Sequence, residues 1–310
     1  MDNITYNSPI LHIEAFDLPP KLIYPVFFIL FFFYLIIMIT NIGVILLISS
    51  DRNLQQPMYL LFCNLSFNDI LGNTVLLPRL MSDVVSSDRS ITYVECVSQA
   101  FFSHIFGTSA HTILIIMAFD RYVAICHPLR YTSIMTPGMV VKLSLYSWGA
   151  AVVLVSVLLG LTIRLTRCRS IIQNAYCDNA SLFKLSCQDV TINNIYGLAF
   201  TVVLFGSSMG SIAITYIRIV TICITKKSKE LNSKALQTCA THLVLYMIML
   251  WSGFLVIMSH RLQIHTDYRK LASVLFHIVP ANLNPIIYAA QTKELKNRIA
   301  QLFNSKATPA

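Results

Sequence analysis

A chain of 310 residues that is 55% hydrophobic and only 12% charged, with a mean hydropathy of +0.65, is too apolar for the surface of a soluble globular domain. Its formal charge of +9 would suit a nucleic-acid partner if the bases were gathered on one polar face. They fall between long apolar runs instead, so the basic balance reads as membrane topology and gives a nucleic-acid partner little support.

The first 23 residues are polar and hold a single lysine, so no cleavable signal peptide is visible and the first apolar run is expected to act as the insertion signal. Seven runs follow, each long enough for the ~20 apolar residues a bilayer core requires. They cover Tyr24 to Ser49, Met58 to Met81, Val97 to Cys126, Val140 to Ile163, Ile195 to Ile224, Leu236 to Met258 and Leu271 to Ala290. Asn64, Asn68, Asp69 and Asn73 interrupt the second run, and His277, Asn282 and Asn284 the seventh. Polar groups at such depth need a structural or functional reason. The longest connection runs from about Arg164 to Asn194, and no repeat appears. The expected fold is an all-α membrane protein, one domain over 1–310 with an extracellular tail (1–23), a seven-helix bundle (24–290) and a cytoplasmic tail (291–310).

Orientation follows from the bases. With the N-terminus outside, the inner segments hold thirteen of the 23 bases against four acids, Asp51, Asp120, Glu230 and Glu294, while the outer segments are nearly balanced. That places the C-terminus in the cytoplasm. Under this topology Cys96, Cys168, Cys177 and Cys187 lie outside, where disulfides persist, and Cys63, Cys126, Cys223 and Cys239 lie within spans or at their inner ends. Four outer cysteines allow three connectivities, among which spacing does not choose. "NIT" at Asn3 and "NAS" at Asn179 are glycosylation sequons on outer segments, whereas "NLS" at Asn64 falls inside a span and is a chance match.

Within the spans, "MAFDRYVAICHPLRY" (117–131) ends an apolar run on charge. An arginine at a bilayer edge can simply snorkel. Asp120 beside Arg121, with Tyr122 next and Pro128 turning the chain away, instead makes a releasable latch that can meet a partner protein. Asp69 is costly in mid-span unless it pairs, and Asn41 and Asn284 are natural hydrogen-bond partners for it. Pro285 in "LNPIIY" lacks a donor and leaves one carbonyl free, so the seventh span can bend there.

These stretches, with "PMYLLFCNLSFND", "SIAITYIRI", "KALQTCATHL" and "PANLNPIIYAAQTKELK", make the chain resemble the odorant (olfactory) receptors among the rhodopsin-like G-protein-coupled receptors. The resemblance covers nearly the whole length. It implies a seven-helix bundle that binds an odorant from outside and activates a stimulatory heterotrimeric G protein inside, raising cyclic AMP, in the plasma membrane of olfactory sensory neuron cilia. Membrane lipid is the surrounding partner, and no cofactor, metal or catalysis is implied. On the matching positions Arg121 is the switch arginine held by Asp120, and Tyr216 and Tyr288 swing toward it on activation. Lys234 and His242 sit at the inner end of span six, Cys96 bridges Cys177, and Cys168 bridges Cys187. "QTKELKNRIAQLF" reads as a short amphipathic helix with Leu295, Ile299 and Leu302 on one face, and without a cysteine it offers no palmitoylation site. Two departures from the family pattern matter. Met249, Leu250 and Trp251 replace the usual aromatic signature of span six, and Ala110 stands where relatives carry an acidic partner for Asp69.

His104, Thr108 and His111 recur at helical spacing with Gly107 beside them, so they share one face of span three. The seventeen residues from His104 to Arg121, at ~1.5 Å each, separate the two by about 25 Å, a depth that suits a ligand. The family position assigns His104 to the pocket, with Ser103, Phe200, Gly253, Phe254, Ile257, Val274 and His277 as the remaining wall. His111 reads as a satisfied structural histidine. Lys270 reads as an interfacial anchor. Arg261, placed above the pocket by the resemblance, suggests an anionic, water-soluble odorant held by forked hydrogen bonds.

Other classes fit less well. A transporter predicts an internal repeat and usually an even number of spans. An intramembrane enzyme needs a paired nucleophile and base or clustered metal ligands, and no such motif is present. A nonsensory receptor of the same class for a small metabolite is the nearer alternative, although an amine receptor would want an acid at the level of His104.

Overall fold

A computed structural model describes residues 7–226, 229–262, 265–291 and 296, without the side chains of 226, 229–238, 261 and 289–291. Strand β1 (Ile10–Ile13) precedes α1 (Pro20–Ser50) and α2 (Pro57–Val85); β2 (Ser90–Thr92) leads into α3 (Tyr93–Cys126); and α4 (Tyr131–Ile134) and α5 (Pro137–Ile163) follow. Then come β3 (Ile171–Ile172), α6 (Asn179–Phe183), α7 (Thr191–Lys226), α8 (Lys229–Arg261) and α9 (Thr266–Gln291). Among the described residues α1, α2, α3, α5, α7, α8 and α9 are long and apolar enough to cross a membrane. The chain is a seven-transmembrane helix bundle. Each of these helices overruns its apolar run, because terminal turns outside a bilayer core tolerate polar residues. The expected amphipathic helix after Ala290, and Asn3, lie outside the described residues.

Local chemistry sets the helix starts. Thr92 caps α3 in a reciprocal box with Glu95, Thr136 caps α5 by accepting from the Met139 N–H at 3.2 Å, and Pro20, Pro57 and Pro137 occupy first-turn positions where a missing donor costs nothing. Two-thirds of the apolar window of α3 (67%) is buried, against 11% for α1 and α7, so α3 is the central post while α1 and α7 turn Phe28, Phe32, Val202 and Val203 outward. A solvent of lipid tails accepts such faces.

The N-terminal segment is not the bare polar tail its composition suggests. Its strand lies between the other two, antiparallel to β2 (Leu11 opposite Ile91) and parallel to β3 (His12 opposite Ile171), and buries Leu11 and Ile13 over Cys96 and Cys177. "ILHI" alternates strictly, burying every second residue, as a one-sided strand does. Lys270, expected at the interface, is 2% exposed, and its Nζ donates to Glu14 Oε1 at 3.3 Å, fastening α9 to this segment. The sheet closes one end of the bundle, and the Asp120–Arg121 pair lies at the other.

A belt of polar side chains joins the helices midway. Asn284 Nδ2 donates to Asp69 Oδ2 at 2.8 Å, linking α9 to α2. Asn41 does not reach that carboxylate as expected; its Nδ2 donates to the Ala281 carbonyl at 3.1 Å. Ala281 lies four residues before Pro285, so its carbonyl is the one proline leaves without a helical donor. Asn64, inside the chance sequon, donates to Ser144 Oγ and accepts from Trp148 Nε1, joining α2 to α5.

Candidate functional site

Below the sheet, α3, α7, α8 and α9 enclose a cavity of about 240 Å³. Scaled from the ~150 Å³ cavity that admits benzene, it holds a molecule of about ten heavy atoms. Of the expected wall, Ser103, His104, Gly107, Thr108, Phe200, Gly253 and Ile257 line it. Three expected residues do not. Val274 packs with Leu30, Ile37 and Leu77, and His277 is sealed between Ser103 Oγ (3.0 Å) and the Ser273 carbonyl (3.1 Å). Phe254 turns outward against the Trp251 ring. On α9 the cavity face is set by Phe276, one residue, or about 100°, round from His277. The Arg261 side chain lies outside the described residues.

The span-six departure explains the floor. Trp251 is 56% exposed and faces away, and Gly253 leaves space that Phe205 and Phe276 fill; a Cβ on Gly253 would meet Phe205 Cζ at 3.0 Å and Phe276 Cε2 at 3.4 Å. Gly107 opens the opposite side, where a Cβ would stand 3.2 Å from Phe276 Cζ. The aromatic floor therefore comes from α7 and α9, with His111 among its lining residues.

Residues 176–184 form a lid that the sequence reading did not identify. Cys177 is bonded to Cys96 at the start of α3, Cys168 is bonded to Cys187, and the Cys177 N–H donates to Gln99 Oε1 at 2.9 Å, so Tyr176, Asp178 and Asn179 are held over the cavity. Asp178 caps α6 by accepting from the Ser181 N–H (2.7 Å), and its Oδ2 lies 3.3 Å from His260 Nε2 on α8. Burial alone would raise this carboxyl; His260 and the Ser181 bonds outweigh it and hold it below the usual carboxylate range. Burial, then the Asp178 charge, pushes the Tyr176 phenol up. Asn179, expected to carry a glycan, is 5% exposed; its Oδ1 accepts from Thr162 Oγ1 at 2.7 Å and its N–H donates to His104 Nε2 at 3.2 Å. A glycan there is incompatible with this packing, because the amide that would carry it lies inside the lid.

At the far end of α3, Arg121 Nε donates to Asp120 Oδ2 at 3.0 Å and Nη2 to the same oxygen. Asp120 Oδ1 accepts from the Tyr131 hydroxyl of α4 at 2.8 Å, a third member that the motif contained but the sequence reading did not use. Burial, followed by the Asp120 charge, raises the Tyr131 phenol well above its ordinary value and keeps it a donor. Tyr216 OH shares a 2.6 Å hydrogen bond with His242 Nδ1, tying α7 to α8, while Tyr288 stacks on Phe62 with its hydroxyl 3.8 Å from Met117 Sδ. Tyr122 lies 3.4 Å from His127 Nε2, and the Lys234 side chain lies outside the described residues.

The architecture is that of a seven-helix receptor: squid rhodopsin superposes with a TM-score of 0.76 over 95% of this chain and 89% of that one, at 18% identity, which speaks for the fold alone. At the sequence level, a family profile described as olfactory receptor matches residues 30–306. Mouse olfactory receptor 7D11 is 35% identical over 92% of this chain and 86% of its own length, chicken olfactory receptor-like protein COR2 35% over 91% of each, and human olfactory receptor 7C1 36% over 86% and 84%. The chain belongs to the olfactory receptor family, rhodopsin-like receptors that take a small-molecule ligand, signal to a G protein and have no enzymatic activity.

Proposed function

We propose that this protein is an odorant receptor whose ligand occupies the cavity beneath the lid and whose opposite end, with Asp120, Arg121, Tyr216, His242, Asn284, Pro285 and Tyr288 as the switch, activates a stimulatory G protein and raises cyclic AMP. It acts as one receptor domain in the lipid of the plasma membrane, in the cilia of olfactory sensory neurons, with the sheet end outside and the C-terminus in the cytoplasm. The observation that carries this reading is that one helix serves both sites: α3 supplies Ser103, His104, Gly107 and Thr108 to the cavity and Asp120 and Arg121 to the latch. A ligand that binds the released arrangement better than the latched one shifts the balance, and ~1.4 kcal/mol of differential affinity shifts it tenfold.

The narrower reading is an anionic odorant paired with Arg261; what supports its anionic part is an adjoining cavity of about 520 Å³ that meets the first at Lys184 and His260 and is also lined by Arg169 and Arg269. Ligand-evoked cyclic AMP in cells expressing the receptor with a stimulatory G protein tests both readings. Carboxylates run beside matched esters, alcohols and ketones, on wild type, Arg121→Ala and Arg261→Ala. Loss of every response in surface-expressed Arg121→Ala supports the switch, and an unchanged response overturns it. Acid responses that vanish in Arg261→Ala support the anionic reading, whereas responses to neutral odorants alone end it.

A further inference from the structure

The floor of the cavity holds a polar group that the fold leaves unused. His111 is 1% exposed and lines the cavity, seven residues along α3 from His104, which is about 10 Å deeper. Its ring centre lies 4.9 Å from that of Phe205 and 6.1 Å, edge-on, from that of Tyr246. Neither ring nitrogen has a hydrogen-bond partner among the described residues. The expectation of a satisfied structural histidine is therefore wrong.

The other buried polar groups nearby differ. His104 accepts from the Asn179 N–H, His277 is bonded to Ser103 and Ser273, and the Asn193 amide donates to Thr162 Oγ1 at 3.1 Å although its Oδ1 has no partner among the described residues, so His111 alone of these has every polar atom unmet. An imidazole shut away from water with both nitrogens unmet is costly, and a leucine of similar volume would fill the same space without that cost. A polar atom carried by the cavity's occupant would meet it.

We propose that His111 is the specificity-determining contact for the buried end of the odorant. The ligand class that follows is a small, largely apolar molecule with a hydroxyl or carbonyl at the end that enters first, its body against Phe200, Phe205 and Phe276. The inference rests on the reading of the cavity as the odorant site. It is separate from any pairing with Arg261, since anionic and neutral ligands can both carry such a group. The position also gives the contact leverage: the neighbouring Tyr246 of α8 shares a 3.0 Å hydrogen bond with Ser208 of α7, so an occupant bonded to His111 engages the place where three helices meet.

The test measures half-maximal stabilising concentrations, read as the rise in Tm of the purified full-length receptor, which requires no G protein. Two matched ligand series, one neutral and one carboxylate, are compared with and without a hydroxyl or ketone at the far end. Wild type is expected to favour the polar-ended member about tenfold, the worth of one well-made buried hydrogen bond. His111→Leu should abolish the preference while still binding the plain members, and His111→Asn, which keeps a polar group and serves if the leucine variant fails to fold, should retain only part of it. A preference that survives both substitutions, or is absent from wild type while plain members bind, overturns the role of His111 and leaves the odorant cavity standing. If no member of either series stabilises the receptor, the cavity reading falls and this inference with it.

Discussion

The two ends of α3 are held by different kinds of chemistry. At the sheet end, one disulfide bonds the helix to the lid, a second closes the same loop, and a three-stranded sheet lies over both. At the latch end, a carboxylate, a guanidinium and a phenol share one cluster, and the Tyr216–His242 hydrogen bond crosses from α7 to α8. Covalent closure fixes geometry for recognition; ion pairs and hydrogen bonds can be exchanged for others at modest cost, which a two-state device requires. On the proposed switch reading, the cavity is preformed while the far end is free to exchange partners.

The largest expected effect comes from breaking the fixed end. Cys96 and Cys177 close a loop of 81 residues and Cys168 and Cys187 one of 19, so chain entropy assigns about 4–5 kcal/mol to the first and about 3 kcal/mol to the second. Cys177→Ser should lower the Tm of the purified receptor more than Cys187→Ser does, and should remove ligand-dependent stabilisation because the lid loses its attachment to α3. Equal losses from both would mean that the sheet, not the bridge to α3, holds the lid.

At the releasable end the effect should appear as activity before stability. Asp120→Asn leaves the half-buried Arg121 without its anion, which costs the latched state about 3 kcal/mol and should raise ligand-free cyclic AMP well beyond tenfold per receptor at the surface. Tyr131→Phe removes one hydrogen bond to the same carboxylate and should raise it less, by an amount set by about 1.5 kcal/mol. If Asp120→Asn lowers Tm and leaves ligand-free signalling flat, the cluster is a structural brace common to both states.

The same contrast explains what could be read in advance. The spans, Asp120 beside Arg121, and Asp69 with Asn284 were legible because charge in a membrane run is expensive enough to mark itself. The family resemblance supplied the pairing of the cysteines. Once Cys177 is tied to α3, its neighbours Tyr176, Asp178 and Asn179 must lie over the cavity, so the lid is implicit in that pairing. The one-sided burial of Ile10–Ile13 was not readable, because the outward-facing Ile10 is as apolar as the buried Leu11, and the partners β2 and β3 are three and two residues long, too short to carry a pattern of their own. Tyr131 and Phe276 depend on how a turn or a helix is rotated, and an error of one residue moves a side chain by about 100°. Nothing in its spacing distinguishes His111 from a histidine with partners.

The mildest test separates the ionic part of the lid from its covalent part. Asp178 carries the cap of α6, accepts from Asn174 Nδ2 at 3.3 Å and pairs with His260, and its carboxyl sits below the usual carboxylate range. A depressed folded-state value means that this contribution is fully present above the ordinary carboxylate value, near 4, and is lost as the pH falls through the lower folded one. Acidification from pH 6 toward 3 should therefore lower the Tm of wild type more than that of Asp178→Asn, which keeps an acceptor for the Ser181 N–H but has no charge to lose. With the disulfides intact the lid should loosen from α8 without leaving α3, so ligand-dependent stabilisation should hold down to about pH 4 and weaken below it. Parallel curves for the two proteins would show that acid acts elsewhere and that the Asp178–His260 contact adds nothing beyond what the cysteine bridges already hold.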